Sequence, residues 1–156
     1  MQENEHVIKQ LRSLVDDGKC RTDADSLQLF GRDWTKVVDP LAIVFPSSRE
    51  QVQAIVHFAN EHSIALVPSG GRTGLSGGAV AAKGEVVVAF DYMNTISDFN
   101  PVDRTLRCQA GVITEQLQGF AEEQGLMYPV DFASSGSSQI KRNISTNAGG
   151  IKVIRY

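Results

Sequence analysis

The residues in this chain best suited to chemistry form one run, Pro68-Ser69-Gly70-Gly71-Arg72-Thr73-Gly74-Leu75-Ser76-Gly77-Gly78. It holds five glycines in eleven residues and follows the apolar stretch Ile64-Ala65-Leu66-Val67 directly. Glycine reaches positive φ and has no Cβ to hold a ligand away, so a strand entering such a loop can fold its amides around phosphate oxygens. The hydroxyls of Ser69, Thr73 and Ser76 can add donors, and Arg72 supplies positive charge. Two familiar phosphate loops do not fit. A P-loop ends in Gly-Lys-Ser/Thr, and no lysine stands there. A dinucleotide fingerprint reads G-x-G-x-x-G and opens a helix. Here Gly71, Gly74 and Gly77 are spaced G-x-x-G-x-x-G, and only Ala79 to Gly84 separate the loop from the next strand, too few for a crossover helix. A flexible surface turn is the other reading of the loop alone.

A second small, polar cluster shifts the balance toward a ligand. Ser135-Gly136-Ser137-Ser138-Gln139-Ile140 precedes Asn143-Ile144-Ser145-Thr146-Asn147-Ala148-Gly149-Gly150. A linker would read similarly, but Ile140 and Ile144 interrupt the polarity as anchors would. Asp91-Tyr92-Met93-Asn94, at the end of a strand, is a weaker third element.

The elements that must position these residues follow from periodicity. Residues Glu3 to Asp17 read as an amphipathic helix with Val7, Ile8, Leu11, Leu14 and Val15 on one face and Gly18 at its end. Lys19 to Asp39 reads as polar and irregular, with Trp34 as its large anchor. Leu41 to Phe45 is a buried-type strand. Ser47 and Glu50 then offer a capping box for a helix with Val52, Ile55, Val56 and Ala59 on one face. With Ile64 to Val67 as the next strand, residues 41 to 67 form a β-α-β unit with parallel strands. Glu85 to Phe90 makes a third strand. Thr95 to Phe99 and Thr105 to Gln109 flank a turn-forming run and read as a hairpin. Thr114 is placed as the cap of a helix through Gln124, stopped by Gly125. Pro129 to Gly150 shows almost no periodicity, and so long an irregular stretch needs a ligand or further structure to order it.

Composition narrows the class. The chain has 156 residues, 42% hydrophobic and 21% charged, as in ordinary globular proteins. A net charge of -3 without a Lys/Arg block argues against nucleic acid as a partner. The two cysteines have neither metal spacing nor the density of a disulfide framework, which suits a reducing compartment. No apolar segment approaches the ~18 to 20 residues of a membrane span, and the N-terminus does not read as a signal peptide. A cytoplasmic protein is the expectation.

The motifs PSGGRTGLSGG, DYMN, QAG before a helix, YPVD and SSGSSQI followed by NISTNAGG stand in an order that resembles the FAD-linked oxidases. Their FAD-binding domain is the type shared by p-cresol methylhydroxylase (PCMH) and vanillyl-alcohol oxidase. The nearest branch is similar to the FAD-dependent D-2-hydroxy-acid dehydrogenases, which act on lactate, glycolate or 2-hydroxyglutarate. The resemblance runs from about Asp33 to Tyr156. It implies that Pro68, Ser69, Gly70, Gly71, Arg72, Thr73 and Gly74 cradle the FAD pyrophosphate, with Ser76, Gly77 and Gly78 completing the turn. Met93 and Asn94 would lie near the ribityl chain and flavin ring, Met93 equally readable as core. Pro129, Asp131, Gly136, Ser137, Ser138, Ile140, Asn143, Thr146, Asn147, Ala148 and Gly149 would line the flavin and its phosphates, Asp131 equally readable as a turn cap.

Relatives that bind flavin covalently carry a histidine in the first loop. Here the three histidines, His6, His57 and His62, lie elsewhere, so non-covalent FAD is expected. In one place the chain departs from the family: Lys141-Arg142 stands where two small residues are usual. Two cationic side chains would crowd a close backbone approach, point outwards, or pair with a phosphate.

The fold expected is α+β, a small partly parallel sheet with flanking helices and the start of an antiparallel subdomain. Residues 1–36 are a helix and lead-in, and 37–156 the N-terminal part of a PCMH-type domain. The resemblance places a substrate domain, with the catalytic base, beyond Tyr156. No catalytic residue and no metal ligand is therefore expected in the chain. The parent protein would oxidise a small 2-hydroxy acid; the alternative is a truncated or vestigial FAD module without turnover. Open apolar sheet edges make self-association an expected hazard of such a fragment.

Overall fold

The computed structural model describes residues 2–32, 39–75 and 77–152. Trp34, Ser76 and residues 153–156 lie outside the described residues. The chain divides into two compact units, one ending at Tyr92 and the other beginning at Met93.

The first unit is built on a four-stranded sheet. In chain order it contains α1 (Gln2–Leu14), β1 (Cys20–Arg21), α2 (Ala24–Phe30), β2 (Ala42–Val44), α3 (Arg49–Glu61), β3 (Leu66–Ser69) and β4 (Val86–Ala89). The strand order is β1-β2-β4-β3. β4 pairs in parallel with β2 (Ile43 opposite Val87) and with β3 (Ser69 opposite Ala89), and β1 joins β2 antiparallel. The β-α-β reading of residues 41–67 holds in that the strands are parallel, but β4 is inserted between them. A central parallel strand is covered on both faces, so it needs a continuous apolar run, which Val86-Val87-Val88-Ala89 supplies; every one of these residues is buried.

α2 covers the face carrying Ile43, Val87 and Ala89. Its Phe30 packs there with Phe45 and Ala81, and the two phenylalanine rings meet edge to face at 4.8 Å. β1 and α2 correct the reading of residues 19–39 as irregular. Asp23 caps α2 by accepting from the Ser26 amide at 2.9 Å, a local signal outweighed by the polarity around it.

A second correction concerns the cap of α3, which is Ser48 and not Ser47; its hydroxyl accepts from the Gln51 amide. Ser47 is drawn elsewhere. Its amide donates to Gln51 Oε1 at 2.8 Å and its hydroxyl to Asp16 at 2.5 Å. That hydroxyl, with Gln51 Nε2, holds the Asp16 carboxyl below its usual range.

The second unit contains β5 (Ile96–Asn100), β6 (Thr105–Cys108), α4 (Thr114–Glu123) and α5 (Ile140–Ser145). The expected hairpin is present as β5 paired antiparallel with β6. Val112, Leu117 and Ile140 form the core, with Ile96, Leu106, Cys108 and Tyr128 packed against it. Thr114 is the first residue of α4 and not its cap, because its hydroxyl donates to Ser138 O; Gln116 Oε1 instead accepts from the Ile113 amide. α5 is a further correction, since six residues inside the supposedly aperiodic stretch are helical.

Two glycines test this packing in opposite directions. Gly119 lies within α4 with open space where a Cβ would stand. Gly119→Ala should raise stability by about 0.5–1 kcal/mol. Gly150 has φ +73, and a Cβ there would lie 2.0 Å from Asp131 O. Gly150→Ala should cost about 2 kcal/mol or more. Urea unfolding midpoints of both variants check the pair.

Candidate functional site

The glycine-rich loop leaves the end of β3 beside the end of β4. Ser69 pairs with Ala89, and the Phe90 amide donates to Ser69 O. Two residues beyond Ala89, Asp91 lies 3.6 Å from the Arg72 guanidinium. Arg72 also donates to Gly70 O at 3.0 Å and stacks over the Phe30 ring at 4.5 Å. Three partners thus hold Arg72 in the left-handed region, at φ 58, which non-glycine residues rarely occupy. Much of its charge is answered by Asp91, so Arg72 braces the loop.

Ser69 is fully buried, and its hydroxyl donates to Phe30 O at 3.2 Å. The far end of the loop is tied to α2 as well, through the Ala81 amide on Gly31 O at 2.9 Å. Within this frame the amides of Gly71, Arg72, Thr73 and Gly74 donate to no protein acceptor among the described residues. Four successive donors without acceptors, backed by one braced cation, suit an ionised phosphate ester. The residues fit the FAD pyrophosphate that the sequence implies.

The second unit holds the candidates from Met93 onward. Its centre is a closed ring of hydrogen bonds, in which Ser138 Oγ donates to Asn143 Oδ1 and Asn143 Nδ2 to Thr114 Oγ1 at 2.6 Å. Thr114 Oγ1 donates in turn to Ser138 O at 3.1 Å. All three side chains are buried. The polar atoms of Ser138 and Asn143 therefore serve the fold, and Ile140 serves the core.

Asp131 forms a bridge with Gly150, accepts from the Ile151 amide at 3.0 Å, and sets its carboxylate 3.4 Å from Lys152. Thr146 bonds back to Arg142 O. Asn147 has φ 51, and the Ala148 amide donates to Asn143 O. Met93 is buried and its carbonyl accepts from the Gly111 amide, whereas Asn94 is exposed. Gly136, Ser137 and Gly78 are exposed, and Pro129 and Gly149 half-buried.

The structure also draws in residues that motif reading passed over. Phe30 and Asp91 shape the first loop, and Thr114 closes the ring. Gln139 is buried, yet its Oε1 has no hydrogen-bond donor among the described residues. Only a fold can show that such an acceptor is orphaned.

Lys141 and Arg142 are half-buried on α5. Burial, followed by the neighbouring Arg142 charge, lowers the Lys141 pKa from 10.5 to about 8. Both cysteines are unpaired. Among the described residues there is no metal-binding cluster and no helix long and apolar enough to cross a membrane.

The first unit thus presents a loop of free amides at the end of a parallel strand, an arrangement suited to a phosphate-bearing ligand. The model of the FAD binding domain matches residues 40–156, and the chain belongs to that family. It is 68% identical over 152 residues to a D-2-hydroxyglutarate dehydrogenase of Stutzerimonas stutzeri, covering 96% of this chain and 33% of that protein. Another D-2-hydroxyglutarate dehydrogenase, from Xanthomonas citri pv. viticola, is 54% identical over 96% of this chain and 32% of its own length. The chain thus spans about a third of the curated relatives it matches.

Among solved structures, an alkyldihydroxyacetonephosphate synthase superposes with TM-score 0.85 at 19% identity, over 97% of this chain and 31% of that one. p-Cresol methylhydroxylase with substrate bound gives TM-score 0.76 at 24% identity, over 92% and 30%. These likenesses establish the fold, α+β of the PCMH type.

Two measurements probe the second unit. Asn143→Ala leaves the Ser138 hydroxyl and Thr114 Oγ1 short of buried partners and should cost about 2 kcal/mol or more in urea unfolding. Ser137→Ala, at an exposed position, should cost little. Lys141 sets a pH dependence. Its pKa is about 8 in the folded chain and near the ordinary 10.5 when unfolded. Below pH 8 both states hold the proton; between 8 and 10.5 the unfolded state binds more, so stability rises with pH. The stability difference between the parent chain and Lys141→Met should be flat below pH 8, then shift toward the parent by on the order of 2 kcal/mol across that window.

Proposed function

We propose that this chain is the FAD-binding portion of a flavin-dependent dehydrogenase whose substrate is a D-2-hydroxy acid, D-2-hydroxyglutarate in particular. Residues 37–156 are the N-terminal part of the FAD-binding domain, behind a lead-in of residues 1–36. The substrate domain belongs to the remainder of a protein of the relatives' length. The observation that carries the reading is the set of free amides from Gly71 to Gly74 on a loop braced by Arg72, Asp91 and Phe30. The substrate class rests on the two bacterial relatives named as D-2-hydroxyglutarate dehydrogenases.

FAD, when bound, supplies the hydride-accepting chemistry that oxidises the α-carbon of the hydroxy acid. This chain's part is to bind and orient. The amides of residues 71–74 donate to the pyrophosphate oxygens, with Gly77 and Gly78 following in the chain. Met93, Asn94 and the 129–149 segment line the rest of the cofactor, chiefly through backbone groups, because the Ser138 and Asn143 side chains are engaged with each other. These residues are read as holding the cofactor, and the group that takes the substrate's hydroxyl proton is assigned to the remainder of the protein. With no histidine in the first loop, FAD is held non-covalently. The unpaired cysteines favour a cytoplasmic setting.

Purified chain should quench FAD fluorescence on titration, and acid precipitation should release all the flavin to the supernatant. Flavin retained on the precipitate would refute non-covalent binding. The full-length protein should be bleached anaerobically by D-2-hydroxyglutarate faster than by D-lactate or glycolate. Absence of bleaching by all three acids would leave the alternative, an FAD module without turnover.

A further inference from the structure

α2 holds the glycine-rich loop at three points, although it lies outside the stretch matched to the FAD binding domain. That match begins at residue 40, and α2 ends at Phe30. The Phe30 carbonyl accepts from the Ser69 hydroxyl at 3.2 Å, where the loop begins. The Phe30 ring lies against the Arg72 guanidinium at 4.5 Å, within the loop. The Gly31 carbonyl accepts from the Ala81 amide at 2.9 Å, past the loop's far end. Both carbonyls stand at the C-terminus of α2, where no further helical turn uses them. The clamp is itself anchored, because the Phe30 ring meets Phe45 edge to face at 4.8 Å in the core. Gly31 seats it closely. A Cβ there would lie 2.6 Å from Pro40 Cγ and 2.8 Å from Leu27 O.

The dependence runs both ways. α2 has seven residues, too few to stay helical in water without packing, so it is ordered by its contacts, the loop among them. A loop without those contacts would have to surrender its backbone freedom on binding a ligand, and would bind more weakly. We propose that the docking of α2 and the binding of the FAD pyrophosphate are coupled. Phe30 and Gly31 are positioning residues that set the loop amides, and bound FAD in turn locks α2 against the sheet. This rests on the FAD reading given above. Neither residue needs to touch the cofactor, and every partner named lies within the first unit. Such coupling is reciprocal. The factor by which docked α2 tightens FAD binding equals the factor by which FAD favours docked α2.

The test uses the whole chain. Gly31→Ala wedges a methyl between α2 and Pro40 and leaves every loop residue unchanged. Ile55→Val is the control, since it removes a buried methyl from α3, which supplies none of the loop's holds. FAD affinity, read by fluorescence quenching, should fall about tenfold in Gly31→Ala and stay at the parent value in Ile55→Val. In the parent chain, saturating FAD should slow hydrogen exchange across residues 24–31 about tenfold more than across α1. The proposal is overturned if Gly31→Ala binds FAD as tightly as the parent or if both variants weaken it alike. It is equally overturned if FAD slows exchange in α1 and α2 to the same degree. Should Gly31→Ala fail to fold, the exchange measurement on the parent decides. A parent chain that binds no FAD would overturn the proposal together with the reading beneath it, and the parent titration alone separates that case from the others.

Discussion

The parallel pairing of Leu66–Ser69 with Val86–Ala89 is the constraint on which the rest of the first unit depends. Its register sets Ser69 beside Ala89. The glycine-rich loop therefore begins where Asp91 arrives, and Asp91 can hold Arg72. Shifting the register by one residue would turn the Ser69 hydroxyl away from Phe30 O and separate Arg72 from its carboxylate. The buried run Val86-Val87-Val88-Ala89 makes such a slip expensive, because the strand is enclosed on both faces. Hydrophobic burial thus sets the geometry of a polar loop that contributes little to the core itself.

The second unit solves a different problem with a different device. Its apolar core is small, and hydrogen bonds among Ser138, Asn143 and Thr114 supply the order that packing cannot. The cost is that several polar residues in the stretch are unavailable to a ligand through their side chains. Lys141 carries a further cost: its ammonium is partly desolvated, beside a second cation.

Much of the fold was legible in the chain because its strongest signals are local. The apolar runs at 41–45, 64–67 and 85–90 and the turn-flanked hairpin are strands where expected. The glycine spacing was enough to set aside two other phosphate loops. What failed was decided by tertiary partners. Ser47 looked like a cap until Asp16 and Gln51 claimed it, and Thr114 until Ser138 did. α2 was hidden by its polarity, although its end ties down both ends of the loop through Phe30 and Gly31. The insertion of β4 between β2 and β3 depends on pairing across the sheet, which periodicity does not encode. The loop's amides were legible as donors from glycine content. That Arg72 would be spent as a brace was not, since nothing in the sequence brings Asp91 and Phe30 to it.

The brace on Arg72 has a consequence for how the loop meets ions. A site that captures an anion with mobile lysines or arginines loses affinity steeply as salt rises, because counterions compete for exposed charge. Here the one cation of the loop is already answered by a carboxylate, so on the proposed reading attraction would come from oriented amide dipoles at close range. Dissolved salt screens such short-range dipoles weakly. The loop should therefore be nearly indifferent to ionic strength, selecting its anion by shape and donor placement instead of by net charge.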